Sequence, residues 1–339
     1  MNKSNQSTSL RTLLRAKLSA ALIAATLASG LMSAGAADAA GPPQISSDFS
    51  TAPNEYATVG TAQIAYRRIG NGSRTPILLL QHFTGTMDGW DPLIVDGLAQ
   101  DRTVILMSGR GVGSSTGTPS DSVEGMTDDA IGLLDALGMK TVDVFGFSLG
   151  GFVAQDLGLR FPSRVRRVIL AGTGPRGGQD MQESSPAVVN ALAEAIKAGD
   201  YGNARPFLFF SPSSAGQAAA HRFMARLKQR TGEPDGAMNS GAVAAAQGKA
   251  IHAWGQRGSH ADWIQRLKQF KPATLIVNGS DDIMVPTINS YMLAQAIPKA
   301  QLIVYPDAGH GSQFQYPGLF LEHARVFLDR DDDGLNDTR

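Results

Sequence analysis

The amino-acid sequence predicts an α/β fold: a mostly parallel, doubly wound sheet with a helical cap inserted after the sixth core strand. Three observations carry this. Apolar runs of strand length alternate with amphipathic runs of helix length. Several strand runs, such as Ile77-Leu78-Leu79-Leu80 and Leu275-Ile276-Val277, are apolar at every residue, as strands covered on both faces require. One strand passes directly into Gly146-Phe147-Ser148-Leu149-Gly150 and then into a helix-like run, while the stretch between Gly172 and Lys271 contains no good buried strand.

The chain has 339 residues, with 30 basic and 30 acidic side chains. Its first 39 residues differ from the rest. Lys3, Arg11, Arg15 and Lys17 precede an apolar, Ala-rich run, and Ala34-Gly35-Ala36 and Ala37-Asp38-Ala39 each fit a small-residue cleavage site. This pattern predicts a secretory signal peptide over 1–39. The apolar run is too short and too rich in small residues for a stable membrane anchor. No twin-Arg pair precedes it, which points to export by the general route. The expected location is periplasmic or secreted. Removing four basic residues and one acidic residue leaves 26 against 29, about −3, which argues against a nucleic-acid partner. Cysteine is absent, so disulfides, a thiol nucleophile and Cys-based metal sites are excluded.

Strand runs fall at 63–68, 76–81, 103–107, 142–147, 165–171, 273–278 and 301–305. Helix runs fall at 91–99, 122–137, 149–160, 287–296 and 317–328. This alternation reads as βαβ units with right-handed crossovers. The interval after 165–171 carries Ala-rich helical stretches at 188–198 and 216–228, punctuated by Gly and Pro clusters. A structureless loop of that length is improbable inside a compact domain, so the interval is expected to be a mostly helical cap. The domain plan is therefore an α/β core over 40–174 and 272–328, a cap over 175–271 and an acidic tail over 329–339.

Ser148 stands at the centre of G-x-S-x-G between a strand and a helix. That strand-to-helix turn is the nucleophile elbow. Its flanking positions need glycine because a Cβ would clash in so tight a turn. A serine hydroxyl is a poor nucleophile without a base, and the base needs a third group to hold its tautomer. In this topology the chain order is Ser, then acid, then His. After the 273–278 strand comes Gly279-Ser280-Asp281-Asp282-Ile283-Met284-Val285-Pro286. Asp282 has the better register as the acid, with Asp281 as the fallback; either carboxylate could instead cap the helix starting near Thr287. After the 301–305 strand comes Gly309-His310-Gly311, which makes His310 the general base. The oxyanion of a tetrahedral intermediate needs two aimed N–H donors. Leu149, directly after the nucleophile, supplies one. By register, Phe83 in the loop after 76–81 supplies the other. Trp90 is expected to pack, and Asp88 and Asp91 to serve turns and a helix cap.

On Gly146 to Gly151, Arg110-Gly111-Val112-Gly113-Ser114, 279–286 and Gly309-His310, the chain resembles serine members of the α/β-hydrolase fold superfamily. The branch is that of capped esterases, enol-lactonases, cofactor-free haloperoxidases and carbon–carbon hydrolases. The resemblance covers about residues 55–328 and implies a Ser-His-Asp hydrolase acting on a small ester-like substrate, without a cofactor. Rival implications are carbon–carbon hydrolysis or perhydrolysis with the same triad, and a non-catalytic ligand-binding relative. Ser148 argues against the aspartate-nucleophile members of the superfamily. Two positions depart from its habits. Gln81-His82 replaces the usual His-Gly ahead of the oxyanion residue, with His82 expected to point outward. Ser108 stands where Asp is common, so a local hydrogen bond is lost or replaced.

The tail 329–339 places Asp329, Asp331, Asp333 and Asp337 in a spacing like the first half of a calcium loop. The twelfth-position Glu would fall beyond Arg339, and a solvated acidic tail is the preferred expectation.

Overall fold

The computed structural model describes residues 46–181, 184–199, 204–236 and 241–330. The predicted leader lies outside the described residues, as do Asp331, Asp333 and Asp337. The strands are β1 (Glu55–Val59), β2 (Ala62–Ile69), β3 (Arg74–Leu80), β4 (Arg102–Met107), β5 (Val142–Phe147), β6 (Val165–Ala171), β7 (Ala273–Gly279) and β8 (Ala300–Tyr305). The helices of the core are α1 (Pro92–Ala99), α2 (Val123–Ala136), α3 (Leu149–Arg160), α9 (Ile288–Ala296), α10 (Ser312–Gln315) and α11 (Pro317–Asp329). Between β6 and β7 lie α4 (Pro186–Ala198), α5 (Arg205–Phe209), α6 (Ser214–Leu227), α7 (Gly241–Gly255) and α8 (His260–Leu267).

The strands form one eight-stranded sheet in the order β1-β2-β4-β3-β5-β6-β7-β8. Pairings from β4 through β8 are parallel, and β2 runs antiparallel to both β1 and β4. The central strands β5 and β7 are buried at every residue, which is why their sequences show no alternation. β1 had no counterpart among the apolar runs of the sequence. Its alternating, half-exposed pattern suits an edge strand with one covered face. With β1 counted, β6 is the sixth strand and the inserted helices follow it.

Successive side chains on each strand enter opposite layers. Phe145 and Phe147 of β5 join Trp90, Phe209 and Phe314 on one face. Val142 and Val144 join Leu78, Ile105, Phe152 and Trp254 on the other. Burying each such apolar side chain stabilises the fold by roughly 1.5–3 kcal/mol.

Local chemistry starts the helices. Asp91 accepts the Leu93 N–H at 3.1 Å with Pro92 at the first helical position of α1. Ser122 accepts the Gly125 N–H at 3.1 Å to begin α2, and Ser213 accepts the Gly216 N–H at 3.0 Å to begin α6. Each satisfies a donor that the first helical turn leaves unpaired. The inserted helices pack back on the core: α6 on α1 and α10, α7 on α2, and α8 on α9. Among the described residues, no helix is long and apolar enough to cross a membrane.

Candidate active site

The elbow follows β5 without a spacer. Ser148 has φ 56° and ψ −116°, a conformation that costs a non-glycine residue of order 1–3 kcal/mol and persists only when its surroundings impose it. Those surroundings are specific. The Ser148 N–H donates to the Ala171 carbonyl at 2.9 Å, and the Ser148 carbonyl accepts from the Gly151 N–H at 2.8 Å and the Thr173 hydroxyl at 3.0 Å. A Cβ on Gly146 would strike the Gly150 carbonyl, and one on Gly150 would strike the Leu80 carbonyl of β3. The glycines are there because α3 begins in contact with the sheet. Ser148 is half-buried among neighbours that are fully buried.

Asp282 lies in the turn after β7 and His310 in the loop after β8. Their contact is direct: His310 Nδ1 is 2.8 Å from Asp282 Oδ2. The other oxygen, Asp282 Oδ1, accepts the Met284 N–H at 2.8 Å and the Val285 N–H at 2.9 Å. Asp281 is exposed and bonds Ser280 at 2.6 Å, so the carboxylate that meets the imidazole is that of Asp282. Neither carboxylate caps α9, whose N-cap residue Thr287 donates its hydroxyl to the Gly279 carbonyl at 2.6 Å. The His310 ring is fully buried against Phe147, 5.0 Å between centroids, and Phe209, 5.9 Å. Its Nε2 is buried and has no hydrogen-bond partner among the described residues. Asp282 thus holds Nδ1 while Nε2 stays available. Nε2 is the atom that a base in this arrangement uses.

The loop after β3 carries Phe83. Gln81 folds over it, donating to the Thr86 carbonyl and accepting the His82 N–H, each at 3.0 Å. Thr84 adopts φ 55°. Phe83 is half-buried, and Leu149 is the first residue of α3, where helical N–H groups have no partner within the helix.

His82 does not point outward. It is buried, edge-on to Phe147 at 5.5 Å and to Phe209 at 5.1 Å. The aromatic cluster offers the ring an apolar slot, and Nδ1 lies 2.9 Å from the Phe83 carbonyl. Burial, reinforced by the positive charge of Arg205, pushes its pKa down to about 3. The ring is therefore neutral near pH 7. Because a carbonyl only accepts, Nδ1 carries the proton.

The hydrogen bond missing at Ser108 is replaced from far along the chain. The Ser108 hydroxyl donates to Asp235, a buried carboxylate from the segment before α7. Asp235 also accepts the Met87 N–H at 2.7 Å and the Ser114 N–H at 3.1 Å. Desolvation raises its pKa, partly offset by these hydrogen bonds. Asp88 pairs with Arg67 at 2.6 Å and Arg230 at 3.0 Å. Asp91, besides capping α1, pairs with Arg226 at 2.5 Å. Both acids are thus engaged structurally. Sequence reasoning did not single out Asp235 or Gln247, which accepts the Thr84 N–H at 2.6 Å. Neither belongs to a local motif.

A pocket beside the elbow is lined by Gln81, His82, Gly85, Leu149, Gly150 and Gln247 among others. No cluster of metal-binding side chains occurs among the described residues. Asp329, the one tail carboxylate described, ends α11 and is bound by Arg102, with Arg74 at 3.4 Å.

Comparison with known proteins agrees with this geometry. A family model described as the α/β hydrolase fold matches residues 75–317. A solved α/β hydrolase fold protein from Chitinophaga pinensis is 37% identical, with a TM-score of 0.75 over 83% of this chain and 99% of that one. A poly(3-hydroxyalkanoate) depolymerase from Ectopseudomonas oleovorans is 28% identical over 72% of this chain and 80% of its own length. A 2-hydroxymuconate semialdehyde hydrolase from Pseudomonas sp. (strain CF600) is also 28% identical, over 76% of this chain and 88% of its own. The family match runs from β3 to the start of α11 and takes in the elbow, the Asp282 turn and the His310 loop, so the chain belongs to the α/β hydrolase fold family.

Proposed function

We propose that this protein is a serine hydrolase that cleaves small to medium carboxylic esters or lactones. The observation that carries the reading is the buried His310, tied to Asp282 through Nδ1, with a free Nε2, at the same end of the sheet as the strained Ser148.

In this reading His310 Nε2 takes the Ser148 proton as Oγ bonds to the substrate carbonyl carbon. The carbonyl electrons move to oxygen, and the resulting oxyanion is held by the N–H groups of Phe83 and Leu149. Collapse of the intermediate breaks the bond to the leaving alkoxide, which receives the proton from His310. Water, losing its proton to His310, then attacks the acyl group and releases the acid and Ser148. Asp282 orients the imidazole and stabilises its charged form. The pocket beside Leu149 supplies apolar and polar surface for the substrate.

The depolymerase relative supports an ester substrate, since a poly(3-hydroxyalkanoate) is joined by ester bonds. The semialdehyde hydrolase relative supports a second reading, cleavage of a carbon–carbon bond by the same three residues. A panel of p-nitrophenyl esters, simple lactones, a vinylogous diketone and a peracid assay separates these from each other and from perhydrolysis. Labelling of Ser148 by a fluorophosphonate is expected; a folded protein that resists the label and turns over nothing would indicate a ligand-binding role.

Export belongs to the same proposal. Expression of the whole chain in a bacterium should yield a periplasmic or secreted product whose N-terminus lies within residues 35–42; an intact Met1 on the exported protein would overturn it.

A further inference from the structure

We infer that Gln247, on the inserted helix α7, is a positioning residue that holds the oxyanion loop in its working shape; this rests on the hydrolase reading above. The peptide between Phe83 and Thr84 is gripped on both edges. Its carbonyl lies 2.9 Å from His82 Nδ1, which carries the proton, and its N–H donates to Gln247 Oε1 at 2.6 Å. Thr84 sits at φ 55°, a left-handed conformation that a β-branched residue adopts only under constraint. One such constraint comes from a residue 163 positions away in the chain.

The loop has a second tether of the same origin. Asp235, from the segment before α7, accepts the Met87 N–H at 2.7 Å. Both ends of the 84–87 turn are therefore fixed by side chains that the inserted segment contributes. Phe83 lies immediately before the gripped peptide. Fixing that peptide plane anchors one side of Phe83, and the His82 N–H held by Gln81 Oε1 at 3.0 Å anchors the other, which together restrict the direction of the Phe83 N–H. Gln247 is also part of the pocket wall, so α7 couples the seating of the inserted helices to the geometry of the hole. An oxyanion donor contributes only when it is aimed in advance, and a small misplacement of reacting groups is costly.

The test compares full-length wild type with Gln247→Leu, which removes the acceptor at similar volume, and Gln247→Glu, which keeps an acceptor oxygen. Gln247→Met replaces the leucine variant if that one does not fold. Amide exchange of the 82–86 segment, read by mass spectrometry, should quicken by about tenfold in the leucine variant and stay near wild type in the glutamate variant. On a p-nitrophenyl ester, kcat should fall about 10- to 100-fold with KM within about twofold. Inhibition by phenylboronic acid, which forms a tetrahedral anion on serine, should weaken in parallel. Unchanged exchange in the leucine variant overturns the inference. So does faster exchange with an unchanged kcat, and so does a rise in KM alone, which would make Gln247 a substrate contact. Exchange needs no turnover. A wild-type protein inert to every substrate would defeat the hydrolase reading, and the exchange rates would still decide the clamp.

Discussion

Asp282 divides its carboxylate between the backbone and His310: Oδ1 takes the N–H groups of Met284 and Val285, and Oδ2 meets His310 Nδ1 at 2.8 Å. The two backbone donors prevent the carboxylate from rotating, so the imidazole is held by a group that is itself held. An amide at this position would have to face the backbone donors with its own N–H or offer N–H to His310. Asp282→Asn should therefore lower kcat by about 10⁴ while the protein stays folded. Asp281→Asn, at an exposed side chain, should change kcat by less than about threefold. Steady-state kinetics on a single ester with both variants checks the contrast.

Ser148→Ala removes the hydroxyl that the proposed mechanism uses as nucleophile. Turnover should fall by at least about 10³-fold, with fluorophosphonate labelling abolished. Because Ser148 holds a conformation that no side chain favours, the variant should be no less stable than wild type. Thermal melting beside the activity assay reads both effects; residual labelling in the variant would mean that another residue is the nucleophile.

His82 gives the fold an acid sensitivity of definite sign. Its folded pKa, about 3, lies below the ordinary value for histidine, so the native state favours the neutral ring. The stability this contributes is complete above about pH 6.5 and is lost as pH falls toward 3, at about 1.4 kcal/mol per pH unit. His82→Asn does not titrate and can still donate to the Phe83 carbonyl. Urea unfolding at pH 7.5, 6.5, 5.5 and 4.5 should show wild type losing stability more steeply than the variant by one proton's worth. Parallel curves would show that His82 takes up its proton without unfolding.

Ser108 and Asp235 form a matched pair, and placing a carboxylate at 108 should be harmful here. Ser108→Asp would set a second carboxylate against one whose pKa burial already raises. We expect a loss of about 3 kcal/mol near pH 7, smaller as the pH is lowered and one of the pair takes up a proton. Adding Asp235→Asn should recover most of it. A urea-denaturation double-mutant cycle measures the coupling; additive effects would show that the two side chains act independently.

Much of this molecule is legible in one dimension. The buried strands β3 and β7 announce themselves through the apolar runs Ile77-Leu78-Leu79-Leu80 and Leu275-Ile276-Val277, because both faces are covered. The elbow is legible because its turn needs glycine on either side of Ser148. The turns holding Asp282 and His310 are legible because each follows a strand-length run of mostly apolar residues, β7 and β8. β1 escaped because a half-exposed edge strand carries a weak alternating signal. His82 was misjudged for a different reason. A histidine's fate depends on whether an apolar slot and a carbonyl await it, and Phe147, Phe209 and the Phe83 carbonyl come together only in three dimensions.

Periodicity and turn chemistry, which act over a few residues, thus point to the fold class, to Ser148 and His310, and to the turn that carries the proposed acid. Folding alone decides what supports them: that Asp282 rather than Asp281 faces the imidazole, that Asp235 takes over beside Ser108, and that Gln247 accepts the Thr84 N–H. Each of these depends on side-chain direction or on partners far apart in the chain, and a hydrogen bond across such a separation leaves no mark on the residues around either end.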